Sequence, residues 1–267
     1  MNKSGAIGLF DSGIGGLTVS KVINTILPEE ATIYFGDTAH VPYGQRSADE
    51  LLGFADKIVS FLAGQGVKYI FFACNTSSAL SLSVLSSRYP LPMIGLIKPG
   101  VAEVLRLTRN KKVGVIATEA TVRSGAYENE LKKRDSSIKV YSQAAPRLVP
   151  LIEAGELDSP AAVEAVNQYL CPLREAGIDT LVFGCTHYPF LAGLIADVMG
   201  PGVQLVDPAG ATVRQAAAEM AGLGLLATGG SSPPVHRFFV SGEPQAFREQ
   251  ARRFLGKDVG PVTRAEL

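Results

Sequence analysis

The chain has 267 residues, 46% hydrophobic and 19% charged, which is enough apolar material for one large or two ordinary domains and too much for a disordered chain. Lys and Arg total 25, as do Asp and Glu; this balance argues against general nucleic-acid binding, and the cluster Arg248, Arg252 and Arg253 reads as a solvated helix face. No apolar stretch approaches the ~18 residues of a membrane span, the run at 6–10 after Lys3 is too short for a secretory signal, and three cysteines in such a chain point to the reducing cytoplasm rather than to disulfides.

In chain order, residues 6–10 read as a buried strand, followed by Asp11-Ser12-Gly13-Ile14-Gly15-Gly16 and a helix. This turn lacks the third glycine of a dinucleotide fingerprint and the Gly-Lys-Ser/Thr of a P-loop. Its glycines allow backbone N–H groups to approach a small carboxylate, although a tight strand-to-helix turn explains them almost as well. A second strand is expected at 32–35, then Asp37 and Pro42-Tyr43-Gly44, by themselves an ordinary turn. At 49–63, Leu51, Leu52, Ala55, Ile58, Val59 and Leu62 share one helical face. Further strands follow at 68–73 and 93–97. This alternation predicts a parallel sheet covered by helices.

The series then repeats. Strands are expected at 112–116, 139–141, 180–183 and 203–206, with a helical run at 161–173. Gly8 corresponds to Gly114, Pro99 to Pro208 and Cys74 to Cys185, landmarks recurring 106–111 residues apart. Gly66 precedes Cys74 by eight residues, and Gly177 precedes Cys185 by eight. Such agreement implies an internal duplication. It predicts two similar parallel-sheet α/β domains related by a pseudo-two-fold axis, with the active site in the cleft between them, beyond the carboxyl ends of the strands. The tail adds a helix at 209–220, a glycine- and proline-rich loop, a strand at 235–241 and a last helix from about Pro244. It could complete either domain; the division adopted is 1–98 with 208–267, and 99–207.

Cys74 and Cys185 each end an apolar strand and precede polar residues. Asn75, Thr76 and Thr186 suit helix caps and Pro189 a first turn, and a thiol near a helix N-terminus ionises more easily. One such cysteine would ordinarily be packing. Two in equivalent frames point to function, whereas Cys171, inside the run 161–173, reads as core. A zinc site has no support, because no Cys-x-x-Cys occurs and His40, His187 and His236 are scattered. A cysteine hydrolase built on Cys185 and His187 leaves Cys74 unexplained. Glu153 taken alone is an unremarkable acid.

Together, Asp11-Ser12-Gly13-Ile14-Gly15-Gly16, Asp37 with Pro42-Tyr43-Gly44, Cys74-Asn75-Thr76 and Gly184-Cys185-Thr186-His187 resemble the glutamate racemases of the aspartate/glutamate racemase superfamily, over nearly the whole chain. The resemblance implies interconversion of L- and D-glutamate without pyridoxal phosphate, metal or other cofactor, in the cytoplasm, supplying D-glutamate for peptidoglycan. It implies Cys74 and Cys185 as the paired acid and base, Asp11 assisting Cys74, and Glu153 and His187 assisting Cys185. Substrate contacts would come from Asp11, Ser12, Tyr43, Gly44, Asn75, Thr76, Thr186 and His187, with Thr118 and Thr121 as further candidates. The family includes dimers, so a homodimer is one expectation, and some members engage DNA gyrase, which the charge balance here neither predicts nor excludes. Ser77 departs from the alanine common after this cysteine motif, and Ala145 stands where relatives often carry another cysteine. Competing readings are a racemase of aspartate or another amino acid, and a non-catalytic two-domain protein that closes on a carboxylate.

Overall fold

Strands buried on both faces need apolar side chains at every position, and that is why the first strand reads as one unbroken run. The computed structural model describes residues 5–228 and 233–267; Lys3 and part of the glycine- and proline-rich loop before residue 235 lie outside the described residues. The first half runs β1 (Ile7–Asp11), α1 (Leu17–Ile26), β2 (Thr32–Gly36), α2 (Ala48–Gly64), β3 (Tyr69–Phe72), α3 (Asn75–Leu80), α4 (Leu82–Arg88) and β4 (Met93–Gly95). Next, α5 (Ile97–Leu107) leads into β5 (Lys112–Ala117), α6 (Glu119–Ser124), α7 (Ala126–Arg134), β6 (Lys139–Ala144), α8 (Leu148–Ala154), α9 (Pro160–Glu175), β7 (Thr180–Gly184), α10 (Ala192–Met199) and β8 (Gln204–Val206). The tail contributes α11 (Pro208–Gly222), β9 (His236–Val240), α12 (Pro244–Leu255) and β10 (Val262–Arg264).

These strands form two parallel sheets, ordered β10-β9-β2-β1-β3-β4 and β6-β5-β7-β8. The shared core of each runs second, first, third, fourth strand of its half, the topology a duplicated unit produces. β9 pairs along the whole of β2, from Thr32 opposite His236 to Gly36 opposite Val240, so the tail extends the first sheet.

Side-chain alternation divides each sheet into two packed layers. Ile7 and Leu9 join one core with α1 and α11, whereas Phe10 joins another with α2. In the second sheet Ile116 faces α8, α9 and α10, and Val113, Val115 and Ala117 face α5 and α7. Local signals set the helix starts. Ser47 and Glu50 form a reciprocal capping box on α2, which satisfies backbone donors left over at the helix start. Ser159 caps α9 with Pro160 in its first turn.

Some expectations change. The strand expected at 93–97 stops at Gly95, and Ile97 already begins α5. β10 carries no apolar run of its own and forms by pairing with β9. Cys171 is only partly buried, its Sγ 3.3 Å from Glu175 Oε1: it lies at the edge of the buried stripe of α9 rather than in the core. No helix among the described residues is long and apolar enough to cross a membrane.

Candidate active site

The residues singled out from the sequence gather where strand ends from both sheets meet. Asp11 closes β1, Cys74 comes two residues after β3, Thr118 directly follows β5 and Cys185 directly follows β7. Cys74, Thr118 and Cys185 border a cavity of about 60 Å³, room for roughly four to six water molecules and too small for a nucleotide. Ser12, Tyr43, Gly44, Cys74, Asn75 and Thr76 line it from the first half, and Thr118, Cys185, Thr186 and His187 from the second. Both cysteines are reduced and buried. Asp11 and Glu153 do not line the cavity; they stand behind it.

Cys185 has an imidazole beside it. Its Sγ lies 3.7 Å from His187 Nδ1, and His187 Nε2 lies 3.0 Å from Glu153 Oε1. Burial works against charge on the ring, yet the bonds to Cys185 and Glu153 and the nearby Asp11 carboxylate outweigh it and hold His187 well above its ordinary pKa. The ring is therefore favoured as the imidazolium.

Cys74 sits in a different field. Burial, and then the Asp11 carboxylate, push its thiol up to about 12. The acidification expected from a helix start does not prevail. α3 has only six residues, and Cys74 itself occupies the cap position in extended conformation without a capping hydrogen bond; Asn75 and Thr76 are already helical. Thr186 likewise is no cap, since a short 3₁₀ turn at Tyr188–Leu191 follows His187, with Pro189 in its first turn.

Asp11 is fully buried, and burial raises its carboxyl against the opposing effects of His187, the N–H groups of Gly13 and Gly16, and Thr186. Gly13 N–H donates to Asp11 Oδ2 at 2.9 Å and the Thr186 hydroxyl to Oδ1 at 3.2 Å. The Gly13 donor, expected to face a ligand, is thus spent on Asp11. The glycines serve close approach. A methyl group on Gly15 would lie 2.5 Å from both His187 Nδ1 and Thr186 Oγ1. Gly15→Ala is therefore expected to displace the imidazole and cost about 10²-fold in turnover, whereas Gly53→Ala, whose new methyl meets nothing within 4 Å, leaves turnover unchanged. Steady-state kinetics of the two variants check this.

Hydroxyl and amide groups complete the cavity. Thr76, Thr118 and Thr121 join their Oγ1 atoms in a triangle of 2.9–3.1 Å edges that bridges the two halves. Tyr127 OH donates to Asn75 Oδ1 at 2.7 Å, while Asn75 Nδ2 is buried without a hydrogen-bond partner among the described residues. An amide donor buried without a partner is costly unless an acceptor reaches it. Tyr43 OH donates to Asp37 Oδ2 at 2.5 Å, and Asp37 Oδ1 accepts from the Ser241 hydroxyl at 2.7 Å, so the tail braces the loop that carries Tyr43.

Sequence reasoning missed these supports and the cavity walls Val41, Gln45, Glu119, Pro146, Val149 and Pro150. Ser241 stands 204 residues from Asp37, and no local pattern marks the pair. No group of three or more His, Cys, Asp or Glu placed to hold a metal ion occurs among the described residues.

Comparison with known proteins finds a match to the Asp/Glu/Hydantoin racemase family over residues 17–216. The chain is 56% identical over 264 residues to glutamate racemase of Desulforudis audaxviator, covering 97% of each chain. It superposes on the crystal structure of the glutamate racemase isoform RacE1 from Bacillus anthracis with TM-score 0.95 and 37% identity, covering 100% and 99% of the two chains. A similar match, TM-score 0.92 at 36% identity and covering 99% and 98%, is to glutamate racemase from Francisella tularensis in complex with D-glutamate.

Proposed function

The chain belongs to the Asp/Glu/Hydantoin racemase family, and from that premise we propose that it interconverts L- and D-glutamate by proton transfer between Cα and two thiols, Cys74 and Cys185. The observation that carries this reading is the arrival of one cysteine from each half at a single small, largely buried cavity. Binding alone has no use for a thiol on both sides, whereas racemisation needs a proton removed from one face and another delivered to the opposite face.

In each turnover one sulfur acts as thiolate. It takes the α-hydrogen: a C–H bond breaks, an S–H bond forms, and the electron pair stays on the carbon. The other sulfur, a thiol, gives its proton to the far face and is left as thiolate. Thiols suit both roles because one group can serve as acid or base in a reversible reaction. The carbanion-like state gains from fixed donors in a space closed to water. Asn75 Nδ2 is free to receive a carboxylate oxygen, and the threonine triangle offers hydroxyls beside it. His187, held by Glu153 at 3.0 Å, stands 3.7 Å from the Cys185 sulfur. Asp11 positions Thr186 and sets the field around Cys74.

Each half supplies one thiol, and the units proposed are 1–98 with 208–267, and 99–207. The D-glutamate formed would serve peptidoglycan synthesis in the cytoplasm. In deuterium oxide, either enantiomer is expected to racemise and to acquire α-deuterium, read by chiral chromatography and mass spectrometry. Tight binding of glutamate without α-exchange would instead mark a binding protein, and faster turnover of aspartate than of glutamate would move the substrate to the sister activity.

A further inference from the structure

The tail helix α12 stands between the two halves. Phe247 and Ala251 seat it on the first sheet; both are buried, and four residues apart they share one helical face. Phe247 lies near the rings of Tyr34 on β2 and Phe238 on β9, with centroids 5.7 and 6.5 Å away. Gln250, Arg253 and Phe254 form the adjoining stripe, and all three reach elements of the second half. Phe254 packs against the core on that face of the first sheet and also against the core of α8, α9 and α10.

These contacts converge on the two helpers of Cys185. Phe254 meets Phe190 with ring centroids 4.3 Å apart. Phe190 follows His187 in the same turn, and its N–H donates to the His187 carbonyl at 3.0 Å. Glu153 lies in the last turn of α8, where carbonyls lack partners within the helix. The N–H groups of Gly155 and Glu156 satisfy the Ile152 and Leu151 carbonyls at 2.8 and 2.9 Å. The carbonyls of Glu153 and Ala154 accept instead from α12, from Gln250 Nε2 at 3.4 Å and Arg253 Nη1 at 3.3 Å. A guanidinium at a helix C-terminus is also favoured by the helix dipole. Gly155, with φ of 79°, ends α8 there, and a methyl group on it would collide with that guanidinium. None of the three α12 residues lines the cavity.

We propose that α12 is a strap between the two halves and that Phe254, Gln250 and Arg253 are positioning residues: they hold His187 and Glu153 in register with Cys185. The inference rests on the reading of Cys185 as an acid/base group. Imidazole and carboxylate come from separate segments, His187 from the turn after β7 and Glu153 from α8. Their 3.0 Å contact lasts only while both segments stay in place, and a misplacement of about 1 Å can cost about 10²-fold. Cys74 depends instead on the segment between β3 and α3, within the first half, so the strap bears on one thiol only.

The test reads the two thiols separately. In Cys74→Ser, Cys185 is left to exchange the α-hydrogen of glutamate with deuterium oxide; in Cys185→Ser, Cys74 is left to do so for the other enantiomer. Mass spectrometry follows both rates. Adding Phe254→Ala is expected to slow exchange by Cys185 about tenfold and exchange by Cys74 less than about twofold. Phe254→Leu, which keeps an apolar side chain between the two cores, should recover most of the Cys185 rate. Gln250→Ala with Arg253→Ala leaves the aromatic contact in place and should give the same one-sided loss, about three- to tenfold; this variant decides the matter if Phe254→Ala does not fold. Equal slowing at both thiols would mean general loosening, and an unchanged Cys185 rate would mean an idle strap; either overturns the proposal. Exchange by neither parent cysteine variant would contradict the two-thiol reading itself, a failure distinct from these.

Discussion

Replacing Cys74 or Cys185 by serine is expected to lower racemisation of glutamate by about 10²–10⁴-fold, the range associated with a positioned acid or base. A serine hydroxyl is far less acidic than a thiol and carries almost no charge near neutral pH, so it neither takes the α-proton well nor stands ready to return one. The substitution is nearly isosteric, and both sites are buried within well-packed surroundings, so the fold should persist; near-UV circular dichroism checks this. The two variants should also differ from one another. With Cys74 replaced, Cys185 still reaches one face of Cα and exchanges the α-hydrogen of the enantiomer that presents it there. With Cys185 replaced, Cys74 does the same for the other enantiomer. Mass spectrometry after incubation in deuterium oxide reads this mirrored pattern. Normal racemisation by both single variants would remove the two-thiol mechanism.

His187→Asn carries the second largest effect. The imidazole joins the sulfur of Cys185, at 3.7 Å, to the carboxylate of Glu153, at 3.0 Å. Hydrogen bonds involving a charged group contribute about 1.5–3 kcal/mol, so their loss should cost turnover about 10–10²-fold. Asparagine fills part of the space without a charge. Glu153→Gln, which keeps an acceptor for the ring N–H but removes the negative charge, should cost less, about three- to tenfold. The folded pKa of His187 is raised. Its charge therefore stabilises the fold fully below the ordinary imidazole value of about 6.5, and that contribution fades as pH rises through the raised value. His187→Asn should flatten this part of the stability profile, as urea unfolding against pH will show. Unchanged kcat in His187→Asn would mean that Cys185 needs no helper.

Much of this arrangement was legible in the chain. Strands such as Ile7–Asp11 and Thr180–Gly184 are buried on both faces, so their composition alone marks them. The repeat was legible because both halves keep glycine and cysteine in the same frame around the third strand. It pairs Cys74 with Cys185, and the strand orders of the two sheets agree with it. What escaped was set by tertiary contact. β10 exists because β9 offers it an edge. Cys171 follows the apolar rhythm of α9 but falls at the border of its buried stripe. The acidity expected at Cys74 reckoned with the helix start and not with burial beside Asp11, which prevails in a six-residue helix. Gly15 looked like turn chemistry, while its lack of a side chain makes room for His187 and Thr186 from the other half.

The central claim is that the two sulfurs address opposite faces of one carbon. A crystal structure with D-glutamate bound tests it most directly. The expected result places Cα between Cys74 Sγ and Cys185 Sγ, about 3–4 Å from each, with the α-carboxylate near Asn75 Nδ2. A glutamate whose Cα is reached by one sulfur alone, or by both from the same face, would contradict it.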